Sequence, residues 1–140
     1  MLKAINGALA GGLVGALLNS VALWLLWAAG VTAMIGVAIK PEFTRPWLYQ
    51  RLVWGGIWGL LFLLPILRNR VFLRGILFSL APSALAFFVL FPDAGKGVLG
   101  LGFGRATPVL VILVNMVWGL AASYWYDSSV RSGRRNNRLS

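Results

Sequence analysis

The chain carries no charged residue from Ala4 to Ile39, and this run constrains the fold more than any other feature. As one helix it would measure about 54 Å, against a hydrocarbon core of about 30 Å. It predicts a first membrane span over 5–29, stopped near Gly30, with 31–39 left as an interfacial or re-entrant segment. Trp24 and Trp27 then mark the far membrane interface. A signal peptide is the competing reading, but its apolar stretch is only ~7–15 residues, so a retained span is expected.

Composition agrees with a bilayer environment: 59% of the 140 residues are hydrophobic and 11% charged, a balance unlike that of soluble domains. The 13 Lys and Arg residues, which give a net charge of +10, lie between and beyond the apolar runs. They form no single basic face, so membrane lipids and not nucleic acid are the expected partners. With no Cys and no His, disulfides, thiol chemistry, haem ligation by His and His/Cys zinc sites are excluded. The three acids, Glu42, Asp93 and Asp127, fall in connections or at a span end. A membrane interior without a carboxylate argues against a proton- or cation-coupled carrier and against carboxylate-pair or triad catalysis. A non-enzymatic protein without a cofactor is expected; an enzyme working with Ser, Tyr, Lys and Arg alone is the alternative.

Three more spans follow. Thr44-Arg45-Pro46 supplies a capping hydroxyl and a first-turn proline, predicting a second span over 47–67, in which Arg51 must snorkel or find a partner and Pro65 bends the last turn. Arg68-Asn69-Arg70 closes it. The third span, 72–90, has Arg74 near its start and Pro82 in its middle, with Ser79 and Ser83 at hand for the backbone groups a proline frees. After a glycine-rich connection over 92–106, Thr107-Pro108 opens a fourth span, 108–126. A basic, disordered tail is expected over 128–140. The predicted fold is thus an all-α, integral membrane four-helix bundle. Lys3, Arg68, Arg70, Arg74, Arg131, Arg134, Arg135 and Arg138 on one side outnumber Lys40, Arg45, Arg51, Lys96 and Arg105 on the other by eight to five, which puts both termini in the cytoplasm. The halves show no repeat of the kind found in transporters.

Gly7, Gly11 and Gly15 recur every fourth residue, beside a second small stripe of Ala4, Ala8, Gly12 and Ala16. Such a zipper lets another backbone approach closely. Packing on span 2 or span 4 is expected, with Gly55 and Gly59 as the natural mate; self-association and a pore-lining face are the alternatives. Asn19, beside Ser20, and Asn115 are polar at membrane depth. They predict an interhelical hydrogen bond, or else contact with a ligand or quinone headgroup. Arg45, Arg51, Arg68, Arg70, Arg74, Arg134 and Arg135 are expected to touch lipid headgroups or a partner. The run 95–104 lacks the strand–loop–helix setting of a phosphate loop and reads as a connector.

The glycine-rich first helix, the final helix bearing Asn115-Met-Val-Trp118 and the basic tail after it resemble the small YagU-type bacterial inner-membrane proteins. The likeness is one of architecture; it implies a bacterial inner membrane and carries no site residue across. These features together predict an accessory, assembly or scaffold protein of the membrane, paired with another integral membrane protein or with copies of itself. A small oligomeric channel and a lipid- or quinone-binding module are the alternatives.

Overall fold

A computed structural model describes residues 1–136. It is all-α. Helix α1 spans Leu2–Ala28, and Gly30 at φ +79° turns the chain where a Cβ would be strained. A single turn, α2 (Val31–Met34), and an extended segment lead to α3 (Arg45–Gly59), whose N-terminus is capped by Thr44 through its bond from the Trp47 amide. The chain tightens into a 3-10 turn, Leu60–Leu63, and stops before Pro65. Helix α4 (Val71–Leu85) widens into a π segment, Ala86–Leu90, and ends in the short α5 (Phe91–Asp93). A 3-10 stretch, Val98–Phe103, precedes α6 (Thr107–Asn136).

Three of these stretches, Leu2–Ala28, Val71–Asp93 and Thr107–Ser132, are long and apolar enough to cross a membrane, and no more than 39% of the most apolar part of any of them is buried. Their outer faces show Leu13, Leu17, Leu77, Leu80, Phe88, Val109 and Leu113. An apolar belt that continuous is unstable in water and at rest in hydrocarbon. The three helices therefore suggest a multi-pass membrane protein.

Helices α1 and α6 form the centre of the bundle. α3 packs on α1, and α4 packs on α6. The small residues of α1 explain the first contact, although not in the expected register. Gly7, Gly11 and Gly15 face α6: a Cβ on Gly11 would lie 2.9 Å from the Ala122 carbonyl oxygen, and one on Gly15 would lie 2.6 Å from that of Trp118. Gly55 and Gly59 instead meet Ala8, Gly12 and Ala16, the neighbouring stripe. One helix thus carries two small faces, each taken up by a different partner. A third close approach, Gly75 against Gly119, joins α4 to α6.

Three other expectations change. The helix expected over 47–67 covers Arg45–Gly59 and continues only as a 3-10 turn to Leu63, because Pro65 cannot continue a helix, and it is not among the three stretches long and apolar enough to cross a membrane. Pro82 does not draw the Ser79 and Ser83 hydroxyls to the carbonyl it frees; they bond to the Ile76 and Ser79 carbonyls, and the helix widens downstream instead. The final helix does not end near Tyr126 but runs on to Asn136, supported at its exposed end by the Arg131–Asp127 pair, 2.9 Å apart and one turn from each other.

The long connections meet at the end of the bundle opposite the termini. The Ala38 amide donates to the Phe103 carbonyl at 2.8 Å, and Thr32 and Val37 are buried beneath this cap. The segment 31–39 is thus anchored to the bundle by Thr32 and Val37, while Met34 and Ile35 stay exposed on its outer side.

Candidate functional site

The apolar interior is divided in two. One cluster, toward the termini, holds Ala16, Phe62, Phe78, Trp118 and Ala122. The other, beneath the cap, holds Leu23, Val37, Leu110 and Val114. Between them runs a polar layer drawn from all four long helices.

Asn19 is its hub. Its Nδ2 donates to the Val114 carbonyl at 2.8 Å and to Asn115 Oδ1 at 3.1 Å, which is the bond expected between the two asparagines. Its Oδ1 accepts from Arg51 Nη2, and Arg51 Nε donates to Ser20 Oγ at 2.9 Å. Asn115 Nδ2 donates onward to Ser83 Oγ at 2.9 Å, and the Ser83 hydroxyl donates a hydrogen bond to the Ser79 carbonyl at 2.9 Å. A polar side chain at membrane depth has no water to fall back on, so each needs a protein partner. Here each link satisfies the next, at roughly 0.6–2 kcal/mol per bond. Arg51 is the partner-finding arginine of the sequence, and Trp47 shields it, with the ring centroid 4.7 Å from the guanidinium carbon.

This layer opens onto a cleft. Because α3 and α4 lie on different central helices, they leave between them a cavity of about 510 Å³, walled by residues that include Trp47, Trp54 and Trp58 of α3, Pro82, Leu85 and Ala86 of α4 and its π segment, and Leu110, Val111 and Trp118 of α6. Asn19, Gln50, Arg51 and Asn115 are its polar lining. Its volume falls in the ~300–1,000 Å³ range of small-molecule sites, and its mixture of apolar walls and a few convergent polar groups is typical of them. Along α3 it extends from Trp47 to Trp58, roughly 16 Å at 1.5 Å per residue.

The other predicted residues are spread out. Arg45, Arg68 and Arg70 are exposed at the two ends of the bundle. The side chains of Arg134 and Arg135 lie outside those described. Arg74 is no surface group: it is 5% exposed, donates to the Phe62 and Leu64 carbonyls and sits 5.2–5.7 Å from the rings of Phe62, Phe78 and Tyr126. The turn before Pro65 leaves these carbonyls without helical partners, and the guanidinium supplies them. The sequence pointed neither to Gln50, nor to the role of Ser83 in the layer, nor to the bond by which Trp118 Nε1 donates to the Gly12 carbonyl at 3.1 Å. A tryptophan facing a glycine stripe was the available signal.

Compared with known protein families, curated proteins and solved structures, the chain matches none of them.

Proposed function

We propose that this is a non-enzymatic, four-span protein of a bacterial inner membrane that holds an amphipathic, lipid-like molecule in the cleft between α3 and α4. The cleft itself carries the reading, since a polar layer at membrane depth opens sideways into an apolar slot. Its polar lining consists of three amides and a guanidinium, groups that orient a ligand and neither attack it nor exchange protons with it near neutral pH. Mass spectrometry of the protein released directly from membranes tests the reading: about one amphipath per chain is expected, and a bare chain opposes it.

In this proposal α3 supplies the fourth crossing. Its 15 α-helical and 4 3-10 residues reach about 30 Å together. The chain has no cysteine, so single cysteines report sidedness cleanly. Glu42→Cys is expected to react with a membrane-impermeant maleimide on intact cells, and Asn69→Cys only after lysis. Equal labelling of both on intact cells would remove the fourth crossing.

An accessory or assembly role is the second reading, favoured by the extension of α6 to Asn136, which offers a helical arm beyond the apolar stretch. It predicts a stoichiometric complex with another membrane protein in the same mass spectrum. A channel assembled through the zipper has less support, because both small faces of α1 are taken up within the chain.

A further inference from the structure

Resting on the cleft as a binding site, we infer that its ligand is a single-chain carboxylate, of the long-chain fatty-acid class, whose headgroup pairs with Arg51. The argument starts from charge. A guanidinium has five N–H donors, and Arg51 commits two of its nitrogens, to Ser20 and Asn19, while lining the cavity. Among the described residues the one ion pair is Arg131–Asp127, at the other end of α6. Arg51 therefore has no carboxylate partner among the groups that surround it, and a lone cation at membrane depth is costly. An anion delivered by the ligand removes that cost and forms a strong, two-pronged contact.

The neighbouring amides sharpen the class. Asn19 spends its oxygen on Arg51 and its nitrogen on Val114 and Asn115, and Asn115 spends one N–H on Ser83. The donors left to the cavity are those of Arg51 and Gln50 and the second N–H of Asn115, so the ligand must bring acceptors. One guanidinium balances one negative charge, which favours a carboxylate over a phosphate monoester of about −1.5 to −2. The headgroup must also be compact, because Leu23 and Leu110 bound the layer on one side and Trp58 and Trp118 on the other. A volume of about 510 Å³ suits one chain.

Four of the seven tryptophans, Trp47, Trp54, Trp58 and Trp118, line the cleft, and bromine quenches tryptophan on contact. The full-length protein in a neutral detergent is titrated with 9,10-dibromostearic acid and, separately, with its methyl ester. The acid is expected to quench saturably, to be displaced by stearic acid, and to bind at least about tenfold tighter than the ester. Arg51→Gln should abolish that preference, whereas Arg105→Gln, on an exposed arginine outside the cleft, should keep it. The acid–ester comparison on the unaltered protein stands even where Arg51→Gln fails to fold. Equal saturable binding of acid and ester overturns the carboxylate inference and leaves the cleft as a site for a neutral-headed amphipath such as a quinone. Saturable quenching by neither overturns the cleft as well.

Discussion

Gly12→Leu is expected to cost about 3 kcal/mol or more, measured by denaturant titration of the protein in detergent, because the side chain has nowhere to go. A Cβ at Gly12 runs directly into the Gly55 carbonyl oxygen and lies 2.9 Å from the Gly56 Cα. These are backbone atoms of a packed helix, and they cannot rotate aside. Overpacking in well-ordered cores costs ~1–3 kcal/mol when side chains can shift, and more when the backbone must. Gly56→Ala is the control, since its Cβ lies 3.5 Å from the flexible end of Leu13. There the helix-forming advantage of Ala over Gly, about 1 kcal/mol, meets no opposing clash, and the change should be neutral or stabilising. Equal behaviour of the two variants would mean that α1 and α3 do not touch along this face.

Arg74→Leu is expected to cost about 3–5 kcal/mol in the same titration. The loss has two parts. Two carbonyls of the turn before Pro65 lose their donor, at about 1–3 kcal/mol for each one buried, and the ring contacts with Phe62, Phe78 and Tyr126 lose a desolvated cation. Arg74→Lys keeps the charge but places a point donor where a planar fork reaches two oxygens, so it should recover only part of the loss. A fully stable Arg74→Leu protein would put Arg74 back at the headgroups.

What the sequence made legible was what local chemistry and the bilayer decide between them. The uncharged run from Ala4 to Ile39 gave the first helix and Gly30 its end; Thr44 and Thr107 marked the starts of α3 and α6; Asn19 and Asn115 announced a bond because hydrocarbon offers them no other partner. The rest depends on how the helices are rotated against one another. Two small stripes lie side by side on α1, and only the packed bundle decides that Gly11 turns to α6 and Gly12 to α3. Arg74 looked like a headgroup contact because it stands near the start of its span, yet the carbonyls stranded before Pro65 draw it inward. The cleft was least legible of all. It exists because α3 and α4, neighbours in sequence, settle on different central helices, and no local pattern encodes a gap.

The most direct measurement compares the unaltered protein with Ala86→Trp by mass spectrometry from native membranes, because Ala86 lines the cleft without joining the polar layer, and an indole there fills the space a lipid chain would take. Unaltered protein carrying about one amphipath per chain, and a folded Ala86→Trp carrying none, is the predicted result. Bare protein in both cases, or the same bound mass in both, would contradict the cleft as the functional site.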